Sequence, residues 1–200
     1  DAGLIDQVFA VVLDEACRAA VEWEGRLTIA VNASPLQLGE RALVTTVLDS
    51  LERTGLPARR LEIEITENAL VQDFPLALEI VLALKSVGIA IALDDFGTGY
   101  SNLRHLHELP IDKIKIDKSF IRRRGTEDVS ETVVDLVVAL GHSLGLKVTA
   151  EGVETLDDAL WLKERGCDLG QGYLFSEAVL ARDVPALLAA TGQSRSRAVL

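Results

Sequence analysis

Two kinds of hydrophobic pattern alternate along this chain. Short runs rich in β-branched residues predict strands at LTIAV (27–31), LEIEIT (61–66), IAIAL (89–93), KIKID (113–117), KVTAE (147–151) and near QGYLF (171–175). Between them, apolar residues recur every three or four positions. That period predicts helices over roughly 3–23, 40–54, 75–87, 127–144, 155–165 and 183–190. Gly55 with Pro57, and later Gly88, fit helix stops. Strand starts separated by roughly 25–35 residues are the spacing of parallel strands joined by crossover helices.

Side chains alternate between the two faces of a strand, so each run can be split. Leu27, Ile29 and Val31 share one face, and Thr28, Ala30 and Asn32 the other. Leu61, Ile63 and Ile65 oppose Glu62, Glu64 and Thr66. Ile91 and Leu93 oppose Ala90, Ala92 and Asp94, and Ile114 and Ile116 oppose Lys113, Lys115 and Asp117. Val148 and Ala150 oppose Thr149 and Glu151. A doubly wound sheet needs apolar residues on both faces. One greasy and one polar face suits a barrel, with large residues turned outward to the helices. The expected fold is therefore α/β, a TIM-like (β/α)8 barrel with six of its eight strands visible in this sequence. Neither GxGxxG nor GxxxxGK[ST] occurs, which weighs against a nucleotide-binding open sheet.

Composition narrows the partners. Hydrophobic residues make up 48% of the 200 positions, enough for a real core. The net charge of −11 repels a nucleic-acid polymer. Arg122-Arg123-Arg124 and the SRSR of the tail are the only basic runs, and they read as solvated surface. Cys17 and Cys167 have no metal spacing and read as buried thiols of a cytoplasmic domain. His105, His107 and His142 fit no metal motif and read as surface or cap residues. No run is long and apolar enough for a membrane span.

The polar faces gather acids at the carboxyl ends of the strands, where barrel active sites lie. Asn32, Glu64, Asp94, Asp95, Lys115 and Glu151 are expected to converge there. So many carboxylates cannot all stay ionised together without cations. Oxygen donors without His or Cys favour Mg²⁺ or Mn²⁺, and a carboxylate bridging two such ions suits phosphate-ester hydrolysis. The bland alternative makes these acids separate surface ion pairs. Strict alternation sends Asp95 away from Asp94, so both serve one site only if the backbone turns. Gly97 and Gly99 permit that.

The motifs VNASPLQL, LEIEITENAL, IALDDFGTGYSNL, LPIDKIKIDKSFI, VTAEGVET and GCDLGQGYLF, in this order, closely resemble the EAL domain. That family comprises bacterial phosphodiesterases that linearise cyclic di-GMP to pGpG. The resemblance runs over about residues 3–180 and implies a (β/α)8-type barrel carrying, in all, two Mg²⁺ or Mn²⁺ ions. It implies Asn32, Glu64, Asp94 and Asp95 as metal ligands and Glu151 as a further ligand or general base. It implies that Lys115 contacts the attacking water and that Gln171 belongs to the active-site network. Glu67 matches a glutamate that anchors the DDFGTGYS loop, a loop associated in the family with metal binding and dimer contacts. The implied partners are cyclic di-GMP, a second copy in a homodimer, and sensory or GGDEF-type (diguanylate-cyclase) domains in a parent protein that could be attached to a membrane.

One departure stands out. The Glu-Ala-Leu tripeptide that gives the family its name, and whose Glu is also a ligand, is absent. The chain has no Met and reads as an excerpt of a longer protein, with residues 1–190 an N-terminally truncated domain and 191–200 a tail or linker. Such an excerpt is expected to fold poorly unless something closes the open strand edges. Three functions stay open: a phosphodiesterase whose first ligand lies upstream, a degenerate receptor that binds cyclic di-GMP without cleaving it, and a protein-interaction module.

Overall fold

The computed structural model describes residues 2–23, 27–98, 103–124 and 128–191. The tail from 192 on, with its SRSR run, and Gly99 lie outside the described residues. Ten helices and six strands are described: α1 (Ala2–Glu22), β1 (Ile29–Ala33), α2 (Pro35–Leu38), α3 (Ala42–Thr54), β2 (Leu61–Thr66), α4 (Glu67–Gln72), α5 (Phe74–Ser86), β3 (Ala90–Phe96), α6 (Leu103–Glu108), β4 (Lys113–Ile116), α7 (Lys118–Arg122), α8 (Asp128–Ser143), β5 (Lys147–Ala150), α9 (Leu156–Glu164), β6 (Leu169–Gly170) and α10 (Val184–Thr191). The strand order is β1-β2-β3-β4-β5-β6. An order without reversal is that of a (β/α)8-type barrel and rules out the doubly wound alternative, whose order reverses at a switch point. The chain divides into two compact units. One is Asp1–Leu93 with Asn102–Ile111, the other Asp94–Ser101 with Asp112–Leu200.

In the first unit β1 and β2 are parallel, with Ile29 opposite Leu61 and Asn32 opposite Glu64. Leu61, Ile63 and Ile65 are fully buried, as alternation expects. Helix α1 buries Phe9, Leu13, Cys17 and Ala20, a stripe of helical period, and packs on α3 and β1. Burial of a large side chain such as Leu13 contributes about 1.5–3 kcal/mol. Arg60 ties the layer together: its Nε donates to the Leu27 carbonyl at 2.8 Å and its Nη2 to the Ala20 carbonyl at 2.7 Å. The guanidinium thereby shares the Ala20 carbonyl at the end of α1 with the Trp23 N–H, 3.2 Å away.

In the second unit β4, β5 and β6 are parallel, with Lys115 opposite Thr149 and Thr149 opposite Leu169. Ile114, Ile116, Val148 and Ala150 are fully buried. Helix α8 lies close against β5, because Gly141 leaves no room for a Cβ beside Val148 Cγ2. Below β5, Asp168 accepts from Lys147 Nζ at 2.6 Å, the Val148 N–H at 3.0 Å and lies 3.0 Å from His142 Nε2. Burial pushes its carboxyl up, but these partners outweigh burial and hold it below the ordinary carboxylate range. A depressed folded pKa stabilises above the unfolded value near 3.9 and loses that contribution as pH falls through the folded value. Asp168→Asn is therefore expected to lower stability at pH 7 by about 1–2 kcal/mol, discounted for the exposed Lys147 and His142 partners. Melting curves of both proteins from pH 7 to pH 2 should converge at the acid end.

The strand expected near QGYLF is corrected. The strand is Leu169–Gly170, and the chain leaves the sheet at Gln171. The cause is a close crossing: a Cβ on Gly172 would sit 2.2 Å from the Val153 carbonyl oxygen and 2.4 Å from its nitrogen. Two hydrogen bonds, Val153 N–H to Gln171 O at 3.0 Å and Leu174 N–H to Val153 O at 3.0 Å, hold the crossing. Gly172→Ala is expected to destabilise the fold by roughly 2–3 kcal/mol, because backbone and not a movable side chain is in the way. Chemical denaturation would show it as a lowered midpoint with an unchanged slope.

Four short helices escape the periodic pattern because none spans two full turns. Two are marked by caps instead. Ser34 and Gln37 form a capping box at α2, and Asp117 accepts the Ser119 N–H at 3.0 Å at the start of α7. Both cysteines are buried free thiols, as expected. Burial lifts Cys167 to about 11.

Candidate active site

Strand β3 delivers the first acids of the second unit. Asp94 ends the alternating run and is almost fully buried. Asp95 then takes φ +54, the one left-handed non-glycine residue among the described residues. The backbone thus turns at the paired acids, as their sharing one site requires, with Gly97 at φ +95 just after. Aspartate tolerates this region better than most residues, though it still costs about 1–2 kcal/mol. Three bonds hold the turn. The Asp95 N–H donates to Asp94 Oδ1 at 3.0 Å, and the Asp95 carbonyl accepts from Thr98 N–H at 3.3 Å and Thr98 Oγ1 at 2.8 Å.

The result brings both aspartates to one place. One carboxylate oxygen each from Asp94, Asp95 and Glu151 lie within 4.8 Å of one another. Glu151 follows the end of β5, its N–H donating to the Ile116 carbonyl at 3.0 Å. Lys115, only 3% exposed, sits between two of the acids: its Nζ is 3.2 Å from Asp94 Oδ1 and 2.6 Å from Glu151 Oε1. Burial raises the Asp95 carboxyl above its ordinary value, and the charges of Asp94 and Asp117 raise it further against Lys115 and Lys118. Among the described residues Lys115 is the buried ammonium placed against the cluster of Asp94, Asp95 and Glu151. All the donors are oxygens, so the set fits a hard divalent cation such as Mg²⁺ or Mn²⁺.

Next to Glu151 opens a cleft of about 240 Å³ lined also by Lys118, Arg122, Glu154, Gln171 and Tyr173. Gln171 is fixed there by its N–H, which donates to the Ala150 carbonyl at 2.8 Å. Two opposite charges face each other on the rim, Arg122 Nη2 lying 2.8 Å from Glu154 Oε1. The arginine run expected as solvated surface is thus partly engaged: Arg124 also pairs with Asp158 at 3.0 Å and lies over Trp161. His142 is exposed as expected, whereas His105 stacks on Phe74 with ring centroids 3.9 Å apart.

In the first unit Asn32 and Glu64 occupy directly paired positions at the ends of β1 and β2. Asn32 is exposed on the edge strand, whereas Glu64 is buried. Glu67 is also buried, and neither of its carboxylate oxygens meets a hydrogen-bond partner among the described residues. Part of the loop that it is expected to anchor, 99–101, lies outside them. The reading from sequence left Asp117 and the rim residues Lys118, Arg122, Glu154 and Tyr173 out of the site. Alternation had already put Asp117 on the polar face, which was the available signal.

The features so far define a parallel α/β domain with a carboxylate–lysine centre at the carboxyl ends of its strands. The chain belongs to the EAL domain family, which matches residues 1–178. It is 41% identical over 178 residues to the cyclic di-GMP phosphodiesterase NbdA of Pseudomonas aeruginosa, an alignment covering 87% of this chain and 23% of that protein. Among solved structures it superposes on the PaMucR phosphodiesterase in its c-di-GMP complex with a TM-score of 0.85, at 38% identity, covering 91% of this chain and 75% of that one. On the Klebsiella pneumoniae BlrP1 manganese/cyclic di-GMP complex at pH 9.0 the TM-score is 0.79, at 33% identity, covering 90% and 45%. The chain spans about a quarter of the length of the curated relatives it matches. No described helix is long and apolar enough to cross a membrane.

Proposed function

We propose that this domain hydrolyses cyclic di-GMP to linear pGpG with divalent cations, Mg²⁺ or Mn²⁺, two in all. The observation that carries the reading is the Asp94–Asp95–Glu151 cluster with Lys115 buried against it, in a chain of the EAL domain family. NbdA is named as a cyclic di-GMP phosphodiesterase, and PaMucR and BlrP1 carry the dinucleotide in their structures. Asp94, Asp95 and Glu151 are the residues that would hold a cation. Asn32 and Glu64 keep the ligand role implied by their motifs, supported by their paired positions. Glu67 keeps the loop-anchoring role, supported by its buried carboxylate.

When bound, the cations would supply Lewis-acid activation of water and neutralise charge on the phosphodiester. The chain's own groups handle position and protons. Glu151 accepts a proton from the attacking water at a carboxylate oxygen, and Lys115, donating to Glu151 Oε1, fixes that carboxylate and keeps positive charge beside the phosphate. Gln171, Arg122 and Tyr173 line the neighbouring cleft, where a nucleotide finds a carboxamide, a guanidinium and an aromatic ring. The charge of −11 speaks for a small phosphate ligand reached through cations rather than a nucleic-acid polymer.

The same reading makes the domain cytoplasmic and homodimeric, extending over 1–190 with 191–200 as linker, inside a parent that carries sensory or GGDEF-type domains. Its test is an assay of pGpG release with Mn²⁺ or Mg²⁺, beside calorimetry of cyclic di-GMP binding, on this chain and on the parent protein. Release supports the phosphodiesterase. Binding without release from either protein makes the domain a receptor, and neither binding nor release leaves the interaction module.

A further inference from the structure

Thr149 has a buried hydroxyl with no role so far. The residue is 5% exposed, and its Oγ1 meets no hydrogen-bond partner among the described residues. Burying a hydroxyl in that state is unfavourable, and a Val of the same shape would avoid it. Its place in the fold is specific. Thr149 stands directly opposite Lys115 in the register of β4 and β5, so the two side chains are same-face neighbours. Two residues further along β5's path is Glu151, whose Oε1 holds the Lys115 ammonium at 2.6 Å.

Lys115 now shares two acids that also belong to the cation cluster. A divalent cation on those carboxylates competes with the ammonium for the same oxygens and repels it. The lysine stem is flexible and its head carries three donors, so the ammonium can give up its longer contact with Asp94, keep one bond to Glu151 Oε1 and turn another donor along the strand face toward a further acceptor. The hydroxyl on the paired strand position is buried, polar and available. We propose that Thr149 is a positioning residue: its Oγ1 accepts a hydrogen bond from the Lys115 ammonium once a divalent cation occupies Asp94, Asp95 and Glu151. The proposal rests on the cation-dependent reading of the site given above.

The test compares wild type with Thr149→Val, which keeps the shape and removes the hydroxyl, and Thr149→Ser, which keeps the hydroxyl. Calorimetry with Mn²⁺ alone and melting curves with and without Mn²⁺ read the effect independently of turnover. Without cation, Thr149→Val should melt at or above the wild-type temperature. With Mn²⁺ it should bind about tenfold more weakly, the effect of one lost hydrogen bond to a charged group, and show a smaller cation-induced rise in Tm. Its kcat should fall while KM for cyclic di-GMP stays unchanged, and Thr149→Ser should restore wild-type behaviour. Wild-type Mn²⁺ affinity in Thr149→Val overturns the inference and leaves the phosphodiesterase reading intact. Ser failing as badly as Val also overturns it, because packing would then be the cause. A wild-type protein that binds no Mn²⁺ overturns the cation-dependent reading, and this inference with it.

Discussion

Asp94→Asn is expected to reduce cyclic di-GMP turnover by about 10³-fold, near 4 kcal/mol of transition-state stabilisation, while leaving the fold intact. The substitution changes charge and almost nothing else. Asn keeps an oxygen where Asp94 Oδ1 receives the Asp95 N–H at 3.0 Å, so the left-handed turn at Asp95 keeps its support. Lys115 keeps its shorter bond, 2.6 Å to Glu151. What disappears is one of three anionic oxygens lying within 4.8 Å of one another. Asp95 also loses a like-charged neighbour, so its carboxyl should move back toward the ordinary range. The measurements are pGpG release, Mn²⁺ calorimetry and a melting curve. Near-normal turnover with a normal melting curve would remove Asp94 from the cation set.

Lys115→Met gives the second large effect, and here stability and activity separate. Lys115 is buried, and it is the cation recorded against both Asp94 and Glu151. Met fills a similar volume but removes a buried cation from two neighbouring carboxylates, and breaking a buried ion pair from one side typically costs about 3–5 kcal/mol. Without divalent cations the variant should therefore melt well below wild type. Mn²⁺ should recover much of that loss, because the cation then becomes the counter-charge for the same acids. The cation-induced rise in Tm should be larger in Lys115→Met than in wild type, yet turnover should stay at least roughly 100-fold down for want of the ammonium beside Glu151. Equal cation-induced shifts in the two proteins would mean that the lysine and the cation do not share those carboxylates.

Much of this was legible in the sequence, for identifiable reasons. Period-two alternation in LEIEIT and KIKID separated Ile63 and Ile114 from Glu64 and Lys115, and both sets prove to be buried. The long helices were legible because α1, α3, α5 and α8 run for 13 residues or more, enough turns for a period to register. Short α2 and α7 instead carry their signal in the caps Ser34 and Asp117. The end of the sheet was misread at QGYLF because the deciding feature is the approach of Val153 backbone to Gly172, a contact between residues 19 positions apart. The need for a turn at the paired acids was legible from alternation and the following glycines, whereas the left-handed conformation of Asp95 and its support by Thr98 were not. The Lys115–Thr149 register was invisible for a further reason. Each residue lay on the right face in its own run, but which positions pair depends on how β4 and β5 are aligned.

The measurement that bears most directly on the central claim is pGpG release from cyclic di-GMP by the parent protein, with Mn²⁺ present and then chelated. The account predicts steady release with Mn²⁺, loss on chelation, recovery when Mn²⁺ is added back, and release about 10³-fold slower from Asp94→Asn with Mn²⁺. Release that persists in full after chelation, or in Asp94→Asn, would contradict it.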